Sequence, residues 1–403
     1  MPQLVESCGM FFYAPFSPFR FLFSDFLEKN MPFYFVLSPI CAIFAVSINI
    51  RSFLRYQKYT QMRVLIVNTS EKTGGAAVAA NRLMDALNNN GVKAKMLVRD
   101  KETEDITVVS LPRSLRLQWN FLWERWCVFW HLHFSRQRLW EVDMATSGTD
   151  ITRLREFQEA DVIHLSWINQ GMLSLKNIRK IIRSGKPVVW TMHDLWPATG
   201  ICHYARGCNR YASACGNCPL LPNKGSKNDL SAKIFRRKKE LYHRGAISFV
   251  TCSRWLERQA KGSGLFVGQR ITNIPNPIDT HVFCPQNQAE ARLRAGLPAD
   301  KHIILFVSQR VTDERKGMRY FIEAIDRLVA RYPEMKENTA IAILGGHSEE
   351  VNLTLPSYSL GYVSDEKQIV AIYNSADAFV LPSLEDNLPN TIMESMACGV
   401  PSI

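Results

Sequence analysis

Apolar positions fall into short runs separated by longer amphipathic stretches, the alternation expected of parallel strands joined by helices. Val64–Asn68 reads as a buried strand, the glycine-bearing turn Thr73–Ala77 follows it, and a helix runs through Asn89 to a stop at Gly91. Lys95–Val98, Ala160–Ile163, Pro187–Thr191 and Ile247–Cys252 supply further strands, and Ser253 is placed to cap the helix after the last of them. Ile274–Asp279 (IPNPID) is a stiff, proline-bearing crossover, after which the pattern restarts. Strands at Ile303–Val307, Ala340–Leu344 and Ala378–Leu381 then alternate with helices ending near Ala330, over Glu366–Ser375, and opening at Pro389 with Gly399 as its stop. The expectation is an α/β chain with one doubly wound unit over residues 62–275 and a second over 276–403.

Two stretches depart from that rhythm. Met31–Ile50 carries no charge for twenty residues, enough to span a bilayer, and Arg51, Arg55 and Lys58 follow at once. Because Met62 stands directly before the first strand, residues 1–61 read either as a membrane anchor or as an over-called upstream reading frame. Between Ser114 and Trp140, Trp119, Trp123, Trp126 and Trp130 recur at helical spacing among Arg113, Arg116, Arg125, Arg136 and Arg138. Either that helix packs its aromatic side on the sheet, or the tryptophans face a membrane interface or a water-excluding acceptor pocket.

With 403 residues and 46% apolar content the chain has about two domains' worth of core. A formal net charge of +12 draws it toward anions, meaning nucleotides or acidic lipid surfaces such as an inner membrane. Nucleic acid is not expected as a partner, since no zinc-finger spacing, RNP-like run or helix-turn-helix signal occurs. Four of the ten cysteines cluster as Cys202-x5-Cys208-x6-Cys215-x2-Cys218. That spacing suits a structural zinc, with two disulfides or free thiols as the open alternatives. Helix 232–244 is rich in Lys and Arg and reads as a solvated face.

The candidate chemistry gathers at the end of the chain. A strand, the polar turn Pro382–Leu388 and a helix N-terminus make an anion site, because the amides of Asn387, Leu388 and Asn390 and the helix dipole face the turn. Asp386 and Glu394 bracket it as hydroxyl acceptors. Arg310, ending a strand, and Lys316, six positions on, bring two cations over the same phosphates, with Arg315 as the rival if the loop register differs. Ligand groups in such sheets collect at strand C-termini, which nominates His193 and Asp194 after one strand and His164 and Trp167 after another. His193 is suited to orient a hydroxyl or stabilise charge, with Asp194 fixing its tautomer. The Gly74–Gly75 turn lacks G-x-G-x-x-G, so no dinucleotide cofactor is expected.

The run EDNLPNTIMESMACGVP (residues 385–401) resembles the donor-site signature of GT-B glycosyltransferases of the family 4 type. The resemblance implies two Rossmann-like domains facing across a cleft. Glu394 then meets the nucleotide ribose, and Asp386 holds donor-sugar hydroxyls. The family more often has glutamate there, so Glu385 stays open as the alternative. Arg310 and Lys316 hold the diphosphate, Gly74 and Gly75 admit it from the opposite domain, and the backbone at Val363 reads the base. The cysteine cluster resembles an acceptor-side loop of a family subset. The implied reaction moves a sugar, with retention and without a catalytic metal or cofactor, from a nucleotide-diphosphate sugar to a saccharide or lipid-linked acceptor of surface polysaccharide synthesis, in the cytoplasm or at the cytoplasmic face of the membrane. Enzymes of this type continue beyond the equivalent of Ile403, so the C-terminal domain is expected to be incomplete. A truncated remnant that only binds nucleotide or a partner is the alternative.

Overall fold

The computed structural model describes residues 62–112 and 114–403; the apolar segment 31–50 and Arg113 lie outside them. Two parallel sheets form. The first contains β1 (Arg63–Val67), β2 (Lys93–Val98), β3 (Val108–Ser110), β4 (Val162–Leu165), β5 (Val188–Met192), β6 (Ile247–Thr251) and β7 (Ile271–Asn273), in the order β3-β2-β1-β4-β5-β6-β7. The second contains β8 (His302–Arg310), β9 (Thr339–Gly346), β10 (Ser357–Gly361) and β11 (Ala378–Phe379), in the order β10-β9-β8-β11. Every strand pair is parallel. Order reversal beside β1 is the doubly wound arrangement, and it opens a crevice at the strand C-termini.

Burial explains the strands. Val64 to Val67 are all buried, because helices cover both faces of a parallel sheet. On one face lies helix α1 (Gly75–Asn89), whose Ala77, Ala79, Ala80, Leu83, Met84 and Leu87 are buried; small alanines let it sit close to the strands. On the other, Trp190, Trp196, Tyr242, Phe249 and Phe266 form an aromatic core, with the Phe249 and Phe266 ring centroids 4.6 Å apart and edge-on. The second sheet has its own core around Phe306, Phe321, Ile341, Tyr373 and Phe379.

Two helical readings change. Helix α2 (Leu115–His131) buries Asn120, Glu124, Arg125 and Val128 and turns its tryptophans outward, the reverse of packing them on the sheet. After the short α3 (Arg155–Glu159) and α4 (Leu175–Arg183), the basic helix α5 (Leu230–His243) is not wholly solvated. Its Lys238 is fully buried, donates to the carbonyls of Trp196 (2.6 Å) and Thr199 (3.1 Å), and sits 3.3 Å over the Trp196 ring. Among the described residues, no helix is long and apolar enough to cross a membrane.

Candidate active site

A cleft of about 690 Å³ opens where the C-terminal ends of the two sheets face each other. From the first sheet it is lined by the ends of β1 and β5 and the turn into α1, including Gly74, Gly75, Trp167, His193 and Asp194. From the second it is lined by Ser308, Gln309, Arg315, Lys316 and the turn Asp386–Thr391. Gly74 has φ 94° and ψ 159°, a conformation only glycine adopts without strain, and this aims the α1 N-terminus across the gap. On the opposite wall, Gly317 (φ 77°) begins α8 (Met318–Arg331), preceded in chain order by α6 (Arg254–Lys261) and α7 (Gln288–Ala295). A Cβ on Gly317 would run into the Pro382 carbonyl, so glycine permits the close approach that seats Lys316 over the turn 382–389.

That turn feeds α11 (Asn390–Ala397), after α9 (Met335–Asn338) and α10 (Glu366–Ser375). Pro389 occupies its N-cap and no side chain caps it, so Asn390 and Thr391 present an open helix N-terminus to the cleft. Gly399 (φ 79°) follows its C-cap as the pattern predicts. Lys316 Nζ pairs with Asp386 Oδ2, and Arg315 Nη1 lies 3.3 Å from the same oxygen. Arg315 also stacks on Tyr204 at 4.3 Å and donates to the Glu385 carbonyl at 3.1 Å. Two cations and one carboxylate thus stand at a helix N-terminus, an arrangement matched to a diphosphate with a polyol beside it.

Arg310 is not part of this group. It ends β8 exposed, after a register shift between Val307 and Arg310, and does not line the cleft; Arg315 is the arginine of this loop that does. Between the two acids, Asp386 faces the cleft while Glu385 turns to the first domain, accepting from the backbone N–H of Ala205 (3.0 Å) and Arg206 (2.7 Å). Glu394 is buried and does not line the cleft. Its carboxylate accepts from Arg82 of α1 at 2.6 Å and from the Tyr373 hydroxyl at 2.8 Å. Val363 packs at the edge of the second core, also outside the cleft lining.

His193 holds its expected place at the end of β5, but its partners differ from expectation. Nε2 lies 2.9 Å from Ser166 Oγ and Nδ1 3.7 Å from Cys252 Sγ. Burial lowers its pKa to about 4, so the imidazole is neutral at physiological pH. Asp194 does not fix its tautomer. It accepts instead from His203 Nδ1 (2.7 Å), Trp167 Nε1 (2.9 Å) and the Trp196 N–H (2.8 Å). Burial alone would raise the Asp194 carboxyl, but the His203 charge and these hydrogen bonds outweigh it and bring it below the usual value. Trp167 is thereby held upright in the cleft wall.

His164 is a correction. It lies under the sheet beside Ala79, Ala80 and Leu83 of α1, bonded through Nε2 to Thr191 Oγ1 at 2.7 Å, and burial lowers its pKa to about 3. It sits two residues below Ser166 on the same face of β4, so its depth along the strand keeps it out of the cleft. Cys202, Cys208, Cys215 and Cys218 line a separate small cavity and are not joined by disulfides, with burial pushing Cys202 and Cys215 up to about 12. Among the described residues the one group of three metal-ligand types gathered within 4.8 Å is His347, Glu349 and Glu350, all exposed. No three of the four sulfurs therefore lie within 4.8 Å of one another, against the about 3.8 Å that tetrahedral geometry sets between thiolates on one zinc, so they do not form a closed ligand set in this conformation.

Several participants had little signature. Asn68 and Thr69, at the end of β1, follow from the strand-end rule. Arg82 had no signal, because its partner is 312 positions away. Together with it, Asn387 (to Ser253, 2.6 Å) and Asn390 (to the Gly75 carbonyl, 3.0 Å) tie this turn to the opposite domain.

Residues 73–282, just over half the chain, match the sequence profile of Glycosyltransferase Family 4, and residues 301–403 match that of Glycosyl transferases group 1. A protein of Escherichia coli named as a colanic acid biosynthesis glycosyl transferase, WcaC, is 24% identical over 249 residues, 60% of this chain and 58% of that one. Sucrose-phosphate synthase of Thermosynechococcus elongatus superposes with a TM-score of 0.52 at 16% identity, covering 85% of this chain and 80% of its own. HepE of Anabaena, solved in complex with UDP-glucose, gives 0.52 at 14% identity with the same coverage, 85% and 80%. At these identities the structural likeness speaks for the fold, two Rossmann-like domains across a cleft.

Proposed function

The chain belongs to glycosyltransferase family 4, and on that premise we propose that it transfers a sugar from a nucleoside-diphosphate sugar to a hydroxyl of a saccharide or lipid-linked acceptor in surface polysaccharide synthesis. The observation that carries this reading is the convergence of Lys316, Arg315 and the open α11 N-terminus on one cleft, opposite Gly74 and Gly75. The cations and amides hold the diphosphate. Asp386, released from Lys316 by the incoming phosphates, accepts from sugar hydroxyls. The UDP-glucose in the HepE structure and the polysaccharide pathway in the WcaC name agree with this choice of donor and product class.

In the proposed reaction the bond between the anomeric carbon and the β-phosphate oxygen breaks, and the acceptor oxygen bonds that carbon on the same face. The acceptor proton passes to the departing phosphate, and nucleoside diphosphate leaves. Lys316 and Arg315 stabilise the negative charge that grows on the leaving group. Neutral His193 hydrogen-bonds a reacting hydroxyl, rather than carrying charge, by giving up Ser166 as the partner of Nε2. Glu394 reaches the ribose only by exchanging Arg82 for a sugar hydroxyl, so donor binding and the interdomain clasp compete for one carboxylate. A screen of nucleotide sugars with the full chain, followed by NMR of the product anomer, tests the proposal. Inversion at the anomeric carbon, or no turnover with any nucleotide sugar, would remove it.

A further inference from the structure

Helix α2 is built inside out. Its buried side is polar and tightly bonded. Glu124 accepts from the N–H groups of Met144 (2.8 Å), Thr146 (2.8 Å) and Ser147 (3.2 Å), and Arg125 pairs with Asp143 at 2.7 Å while donating to the Leu139 carbonyl at 2.7 Å. These bonds fix the helix's rotation. The side left outward carries Trp119, Trp123, Trp126 and Trp130, joined by Leu122, Phe134 and Trp140, each between 45% and 62% exposed. Trp119 and Trp123 stack at 6.3 Å, and Trp126 and Trp130 close on Phe134 at 6.4 and 5.3 Å. A contiguous aromatic patch of this kind is not a stable water-facing surface.

Charge decides what covers it. From Ser114 to Trp140 the single acidic residue is Glu124, and it points inward, whereas Arg116 and Arg136 are exposed at the two ends of the patch. Tryptophan with arginine and no accessible acid is the composition that favours the headgroup layer of an anionic bilayer. At 17 residues the helix is too short to cross a bilayer and has a polar underside, so it lies along the interface. The patch also adjoins the cleft: Phe121 of α2 packs against Arg99, at 4.9 Å from the ring centroid, and Arg99 lines the cleft.

We propose that the outer face of α2, continued to Trp140, is a docking surface for an anionic lipid bilayer. It holds the cleft mouth at headgroup depth, where an acceptor hydroxyl carried on a lipid can enter. The surface stands on exposure and charge alone; only the entry of a lipid-carried acceptor rests on the sugar-transfer reading.

The segment Met31–Ile50 could itself hold the full chain on a vesicle, so the test needs a local readout. Photoreactive benzoylphenylalanine is placed at Leu122, 56% exposed in the patch, and separately at Lys239, exposed on α5. Each full-length protein is irradiated with vesicles of phosphatidylglycerol and phosphatidylethanolamine, and with phosphatidylcholine alone. The proposal expects lipid adducts at Leu122 on the anionic vesicles, at least about tenfold fewer on phosphatidylcholine or in about 1 M salt, and none at Lys239. Trp119, Trp123, Trp126 and Trp130 together changed to Ser should reduce the Leu122 adducts about as far. Adducts from Leu122 to residues 1–61 or to a second copy of the chain, no lipid adduct at all, or equal labelling at both positions would overturn it.

Discussion

Replacing Lys316 by alanine removes one of the two cations in the cleft. Its ammonium is mostly buried, with 18% of the side chain exposed, and is already paired with Asp386. A unit charge about 4 Å from a phosphate at an effective dielectric of about 20 interacts by about 4 kcal/mol. Part of this acts on bound donor and part only on charge that develops as the glycosidic bond breaks, and only the latter changes kcat. Loss of one such charge-stabilising group costs about 3 kcal/mol, so kcat should fall about 10²-fold with a smaller rise in donor KM. Arg315, 3.3 Å from Asp386, keeps that carboxylate paired, so the variant should fold. The assay is release of nucleoside diphosphate by the full chain with its best donor. Lys316→Arg should recover part of the rate, and Arg319→Ala, exposed in the first turn of α8, is the control. A Lys316→Ala kcat within threefold of wild type, or an equal loss in Arg319→Ala, would refute the reasoning.

Other expectations follow from the same geometry. Glu394→Ala should raise donor KM roughly tenfold with little change in kcat, the loss of about one charged hydrogen bond to ribose; unchanged KM would remove Glu394 from the donor site. Glu124→Ala strands the amides of Met144, Thr146 and Ser147 and should lower stability by about 3 kcal/mol in denaturant titration, whereas a surface acid would cost under 1 kcal/mol. Burial lowers His193 to about 4 and His164 to about 3, below the ordinary value of 6.5. Between those values the unfolded chain binds more protons, so their contribution is complete above about pH 6.5 and is lost as pH falls toward 4. The thermal midpoint should therefore drop from pH 7 to pH 5, and His164→Gln should flatten that slope; an identical slope in the variant contradicts the assignment.

The sheets and the donor turn were legible because each rests on local chemistry. β-branched runs such as Val64–Val67 need covering on both faces, and a helix that opens after proline and stops at Gly399 is readable from two residues. What escaped depends on partners distant in sequence. The orientation of α2 is set by Asp143 and the amides of 144–147 rather than by its apolar stripe, so periodicity marked the face correctly and left open which way it turned. His164 was misplaced by depth, not by face: it bonds Thr191 one step below the Ser166–His193 pair on the same side of the strands, too far back along β4 to reach the cleft. Asp194 lies next to His193 in sequence yet serves His203 and Trp167, because adjacent side chains at a strand end point in different directions. The exchange of Arg310 for Arg315 follows from a strand irregularity that spacing alone does not reveal.

The central claim is that one diphosphate is held between Lys316, Arg315, the first turn of α11 and the glycine turn before α1. An experimental structure of the full chain with UDP tests it most directly. The account predicts the two phosphates within hydrogen-bond reach of Lys316 Nζ and the Asn390–Thr391 amides, with Arg82 detached from Glu394. Phosphates bound elsewhere, or in the cleft without contact to Lys316 or the α11 N-terminus, would contradict it.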